Sequence, residues 1–298
     1  ENYSPKEPMS NKNIKLLLAV FVVLIGLLAF KQYAPSLSQP TSAYTQKAKG
    51  MSAQTVSAIE VSNSSGSVQL KKEGDAWKVN GKKADTSKIN SLLSSLLPVT
   101  PPELIAQTDK RHKELELTDQ LATKIKLDNK LTLLTGKTAG SGIYTRFDNG
   151  PAVYLLKNNP SVTSTVSEWY DKTILAFDQT KATKLMFRDG VSIITLVKKD
   201  NKWVSEKDNK EAKSDRVSSI LSSVSGLSAQ SLYDNIKDTT YPKIAVLTFS
   251  VEYEGKSETL EFYKGASDYL VKRQSDGERF IVSEYSVSSL ISAPKEIL

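Results

Sequence analysis

Two stretches of this chain repeat one another, and that duplication constrains the fold more than any other feature. Trp77 lies in VQLKKEGDAWKV and Trp203 in ITLVKKDNKWVS. A short Ser/Leu stretch follows each, INSLLSSL (89–96) and VSSILSSV (217–224), at an offset of about 126–128 residues. A unit of this length written twice must bury two comparable cores, so the 298 residues read as about two domains.

The match extends upstream. Ile59 and Val61 in AIEV (58–61) answer Leu185 and Phe187 in KLMF (184–187), and Val68 and Leu70 answer Ile194 and Leu196. Apolar residues at every second position mark strands with one buried face. Asn63-Ser64-Ser65-Gly66 and Asp189-Gly190 supply the turns between them. Trp77 and Trp203 end the next strand, where core packing against the following helix is the expected role. In that helix Ile89, Leu92, Leu93 and Leu96 recur at i, i+3, i+4, i+7, as do Val217, Ile220, Leu221 and Val224. One apolar stripe therefore faces a sheet. Asp85 or Thr86 is the expected N-cap of the first helix, and Ser214 or Asp215 of the second. Pro98 and Gly226 stop them.

Hairpins follow in each copy. KIKLDNKLTLLTG (124–136) turns at Asp128-Asn129, and LTFSVEYEGKSETLEFYKG (247–265) turns at Glu254-Gly255. IYTRF and AVYLLK flank Asp148 to Pro151, while YLVKR and RFIVS flank Ser275 to Gly277. Val162, Val166 and Trp169 mark a closing helix in copy one, and Val287, Leu290 and Ile291 one in copy two. The expected class is α+β, with two tandem repeated modules, 56–172 and 183–298, joined by a linker at 173–182. Each module is a mostly antiparallel sheet with packed short helices.

Ahead of the modules stands LLLAVFVVLIGLLAF (16–30), which carries no charge. With Ile14 and a snorkelling Lys15 it is just long enough to span a bilayer. Lys6, Lys12 and Lys15 precede it, so the positive-inside tendency orients residues 1–13 as a cytoplasmic tail and 14–33 as a transmembrane signal-anchor. Residues 34–55, rich in Ser, Thr, Pro and Gln, read as a linker carrying the body outside the cytoplasmic membrane, into the periplasm or onto the cell surface. The competing reading is a cleaved signal peptide, with Ala34 and Ser36 as small-residue candidates. Met9 is an alternative start that leaves the topology unchanged.

Composition narrows the chemistry. The absence of cysteine removes disulfides, thiolate metal sites and a thiol nucleophile. The formal net charge of +7 places +2 in residues 1–31 and +5 in the body. That permits weak contact with anionic lipid or cell-wall polymer. No basic patch with interleaved aromatics points to nucleic acid.

The order of elements then becomes specific. An anchor precedes a strand pair ending in K-x-x-x-x-W (Lys72 to Trp77), then Ala84-Asp85 and an amphipathic LL-x-x-L helix. Gly136, Tyr144 and Arg146 follow, then the VYLL strand. This resembles the bacterial domain-of-unknown-function family number 4340, over nearly all of 56–298. The resemblance implies an exported, membrane-anchored protein associated with ABC-type transport systems of the gliding-motility kind. Copy two departs from the pattern, with Ala212-Lys213 in place of Ala84-Asp85, which speaks against a chemical task for Asp85.

No residue set forms a catalytic centre. His112 is the single histidine and lies in the charged stretch DKRHKELEL (109–117), where a solvent-facing loop residue is expected. No G-x-S-x-G elbow surrounds any serine. Gly136-Lys137-Thr138 looks like the end of a phosphate-binding loop, but the first glycine of that motif is leucine at 131 and strand follows rather than helix. Glu114 and Glu116 are expected on the wet face of an extended segment. Asp171, Asp178 and Asp189 are scattered without calcium-loop spacing. Lys110, Arg111 and Lys113 form the densest basic cluster. Trp169, Tyr170 and Tyr253 are expected in cores rather than on sugar-binding platforms.

The expected function is therefore non-enzymatic, with no catalytic, cofactor or metal residues. It is that of a single-pass accessory or scaffold for a membrane complex such as an ABC-type transporter. A free-standing envelope-binding module is one alternative, and a carboxylate-based envelope hydrolase another.

Overall fold

The computed structural model describes residues 43–160, 162–190, 192–233 and 240–298. The expected signal-anchor, 14–33, lies outside the described residues. Among those described, no helix is long and apolar enough to cross a membrane.

After a short helix α1 (Ala43–Lys47), hairpins laid side by side build the first sheet. Its strands are β1 (Ala58–Asn63), β2 (Gly66–Glu73), β3 (Ala76–Val79), β4 (Lys82–Lys83), β5 (Glu103–Ala106), β6 (Thr123–Leu127), β7 (Leu131–Ala139), β8 (Gly142–Phe147) and β9 (Val153–Lys157). The second sheet contains β10 (Ala182–Asp189), β11 (Ser192–Lys199), β12 (Lys202–Ser205), β13 (Ser231–Leu232), β14 (Leu247–Tyr253), β15 (Lys256–Lys264), β16 (Asp268–Arg273) and β17 (Arg279–Ser283).

The orders across the sheets are β4-β3-β2-β1-β6-β7-β8-β9-β5 and β12-β11-β10-β14-β15-β16-β17-β13. All neighbours are antiparallel. Apart from β4, the two orders coincide strand for strand. At the place of β4 the second sheet has a single bridge, Val204 to Glu211. Ile59 pairs with Leu70 as Leu185 pairs with Leu196. The hairpin turns fall where expected. Asp128 and Asn129 take φ of 47° and 55°, and Glu254 and Gly255 take 50° and 72°. Consecutive left-handed residues give the turn whose twist suits a two-stranded ribbon.

Helices cover one face of each sheet. α2 (Thr86–Leu96) is capped by the Asp85 carboxylate, which accepts from Lys88 N at 3.0 Å. It buries Ile89, Leu92, Leu93 and Leu96. α3 (Ser214–Val224) has Lys213 at its N-cap, in place of the expected Ser214 or Asp215, and no side-chain cap. Lys213 instead ties down the end of α4 (Glu284–Glu296). Its N–H donates to Ile297 O at 2.9 Å and its Nζ to Glu296 O at 2.8 Å.

Three expectations are corrected in detail. The closing helix of copy one is only a 3₁₀ turn, Val166–Trp169. Thr165 N donates to Thr163 Oγ1 at 3.1 Å, a local bond that competes with helix formation. Trp203 packs against the second core as expected but is only half-buried, whereas Trp77 is fully buried. The expected linker, 34–55, contains a core residue. Tyr44 is fully buried, its hydroxyl donates to Leu96 O at 2.7 Å, and its ring packs on Phe147 and Tyr154.

Candidate functional site

Residues 169–175 form a strap between the two sheets. On one side Asp85 N donates to Trp169 O at 2.8 Å, Asp171 N donates to Lys83 O at 2.9 Å, and Ala84 bridges Tyr170. On the other, Thr173 bridges Ser228, and Ile174 N donates to Leu227 O at 2.9 Å. Arg273 Nη1 donates to the carbonyls of Thr173 and Ile174 at 2.9 and 2.8 Å. Ile174 and Leu175 belong to the second core, so the expected linker 173–182 packs rather than spans.

Beside the strap opens a polar cleft of about 620 Å³ at the start of α2. Four of its charges are committed to one another, while Lys172 makes no ion pair with a described residue. Lys83 pairs with Asp171 at 2.7 Å, and Lys88 Nζ lies 2.9 Å from Glu168 O and 3.8 Å from its carboxylate. Asp85 is occupied as a cap. The arrangement can join two lobes and receive a polar segment, and among the described residues no base is hydrogen-bonded to the hydroxyl of Thr86, Ser87 or Ser228. Among the described residues no group of three His, Asp or Glu side chains is placed to hold a metal ion.

Burial pushes the Asp171 carboxyl up, but bonds from Lys83 and Thr173 outweigh it and hold the group below the ordinary aspartate value. A depressed pKa contributes stability above the unfolded-state pKa and loses it as pH falls through the folded one. Asp171→Asn is expected to cost about 1–2 kcal/mol at neutral pH, with the deficit closing in acid. Urea melts at the two pH values check this. An equal deficit at both would assign the loss to packing instead.

The motif residues Gly136, Tyr144 and Arg146 meet on the face of the first sheet away from α2. There Leu115, Leu117 and Val153 make a small cluster with Ile105, Ala106 and Tyr144 packed on it. Arg146 is 7 % exposed, too buried to act on solvent. Its Nε donates to Leu117 O at 2.7 Å, its Nη1 to the carbonyls of Phe147 and Asp148, and its Nη2 to Asp119 Oδ1 at 3.3 Å. The guanidinium thus latches the 112–119 turns onto the sheet. Burying it is tolerable because its fork of donors is satisfied.

The remaining sequence candidates disperse. His112 donates Nε2–H to Pro151 O at 2.9 Å, since a carbonyl only accepts. Glu114 and Glu116 lie in turns, not in an extended segment. Glu114 is held by Arg111 at 2.8 Å, while Glu116 has φ of 56° and faces Lys137 at 3.7 Å. That bond to Arg111 pulls the Glu114 carboxyl below its usual value, and it takes one charge from the basic cluster. Gly136-Lys137-Thr138 lies inside β7 at a register shift, with no helix after it. Asp178 caps a 3₁₀ turn by accepting from Thr180 N at 2.9 Å. Trp169 is fully buried, and Tyr253 stacks on Phe177 with ring centres 4.6 Å apart.

A mixed α+β protein of two antiparallel sheets and few helices is the class these features define. The chain belongs to the family described as Domain of unknown function (DUF4340), whose model matches residues 79–243. The match opens in β3 and closes before β14, so it crosses the strap and contains Asp85, Gly136, Tyr144 and Arg146. No curated protein and no solved structure matches the chain.

Proposed function

We propose that the protein is a membrane-anchored, extracytoplasmic and non-enzymatic accessory or scaffold of a membrane complex, in the first place an ABC-type transporter. Residues 14–33 serve as the anchor, and two tandem copies of one α+β module form the exported body. The observation that carries this reading is the pair of sheets with one strand order, joined by a strap bonded to both. Duplicated, edge-bearing sheets held in fixed relation suit the display of surfaces to a partner. The motif residues support it too, because Asp85 and Arg146 spend their polar atoms inside the fold.

Topology is checked first. The chain has no cysteine, so one introduced thiol reports alone. Ser65→Cys, in the exposed β1–β2 turn, is expected to react with an impermeant maleimide on intact cells. Ser10→Cys is expected to react only after permeabilisation. The opposite pattern would overturn the orientation. Extraction of the full-length chain in gentle detergent is then expected to recover ATPase and permease subunits by mass spectrometry. Recovery of the chain alone would remove the transporter and leave a free-standing envelope-binding module.

A further inference from the structure

The two sheets share a strand order but not the treatment of their outer faces. The pairings Leu134–Arg146 and Arg146–Val153 in the first sheet correspond to Glu261–Lys272 and Lys272–Arg279 in the second. Following the same registers, Tyr144 corresponds to Leu270 and Val153 to Arg279, and Gly136, at the register shift two residues beyond Leu134, takes the place along its strand that Tyr263 takes beyond Glu261. Along the edge strand Ala106, paired with Val153, corresponds to Tyr233, whose N–H donates to Arg279 O at 2.8 Å.

In the first sheet this face is sealed. The turn at Leu115–Glu116 lies so close that a Cβ on Gly136 would stand 2.0 Å from Leu115 O. In the second, a tyrosine side chain occupies that position, and no backbone can approach in the same way. A cavity of about 410 Å³ lies there instead, between the face of β15–β17 and Tyr233, Tyr241, Pro242 and Lys243. Tyr263, Leu270, Lys272 and Arg279 line its sheet side.

We propose that this cavity is a binding subsite for an acidic saccharide unit, opened in the second copy at the place where the first copy is closed. The rings of Tyr233, Tyr241 and Tyr263 beside Leu270 suit the C–H faces of a sugar ring. The cations suit its acid group. The acidic side chains nearby are already engaged. Glu261 accepts from the Tyr263 hydroxyl at 2.7 Å and faces Lys272 at 3.7 Å, and Asp268 accepts from the Tyr241 hydroxyl at 2.9 Å. Burial and the Glu261 bond push the Tyr263 phenol up to about 12, so it stays a neutral donor. Among the described residues the lining carries three cations, Lys243, Lys272 and Arg279, and no carboxylate. The choice of a saccharide rests on the extracytoplasmic reading above, because envelope polymers supply such units there.

The test is calorimetric titration of the full-length chain in detergent with a galacturonate trisaccharide, beside a neutral galactose trisaccharide. The acidic probe is expected to bind at least tenfold more tightly than the neutral one. Lys243→Gln with Arg279→Gln is expected to weaken it at least tenfold, and Lys110→Gln on the other lobe to leave it unchanged. Lys243→Gln alone alters an exposed side chain and is expected to weaken binding severalfold, which keeps the test valid if the double variant misfolds. No binding at millimolar probe, equal affinity for the neutral probe, or undiminished binding by the folded variants would each overturn the subsite. Partner recovery and thiol labelling do not enter this assay, so its failure and that of the accessory reading are separable.

Discussion

Gly136→Ala is expected to strip the outer layer from the first sheet and cost about 3 kcal/mol or more. The added Cβ would meet Leu115 O at 2.0 Å and Glu116 O at 2.9 Å, both main-chain atoms that no rotamer change can move. The turn must lift. Lys137 N then loses its 3.0 Å bond to Leu115 O, and Arg146 Nε loses its 2.7 Å bond to Leu117 O. Leu115, Leu117 and Val153, at most 3 % exposed in the native fold, become wet. Hydrogen exchange read by mass spectrometry should show lost protection over residues 115–147, with the second sheet unchanged. A change in unfolding free energy below about 1 kcal/mol would show that the turn yields easily.

Trp169→Ala is expected to cost about 3–5 kcal/mol, the range for removing a large aromatic from a closed core. Trp169 is 0 % exposed and is the largest fully buried side chain among the described residues. Its Nε1 donates to Thr163 O at 3.0 Å, and Lys88 Nζ lies 5.0 Å from its ring centre. Because its carbonyl also receives Asp85 N, the cavity opens at the junction of core and strap. Loosening is expected to reach α2 and the Lys83–Asp171 pair. Trp169→Phe keeps most of the apolar volume and loses the Nε1 bond, so it should fall between wild type and alanine. If alanine costs no more than phenylalanine, the site collapses around the gap and the ring is not what holds the strap.

The legible parts of the fold are those written in local periodicity. Leu247, Phe249 and Val251 alternate in the sequence and are all buried in β14. The two helical stripes are read from spacing alone, and both are buried as spaced. Turns with Asp-Asn and Glu-Gly could be placed because few residues accept positive φ. Illegible were elements whose stability comes from distant partners. β5 and β13 are short edge strands defined by pairing with β9 and β17 rather than by any pattern of their own. Tyr44 reads as linker because its neighbours are polar, yet its packing partners stand about a hundred residues away.

The candidate site divides the same way. Arg146 stands out in the sequence as part of a motif, but the motif does not say whether the guanidinium meets solvent, a ligand or the fold. Its acceptors at Leu117 and Asp119 arrive through a loop whose path only the packed structure sets. Likewise, Tyr263 in place of Gly136 is invisible until strand register aligns the two sheets. By itself the sequence determined the helix stripes and the hairpin turns, because each follows from covalent geometry or residue type within a short window. The tertiary structure alone decided which copy seals its outer face, which charges neutralise each other, and how the strap joins the lobes, because those depend on contacts between residues far apart in the chain.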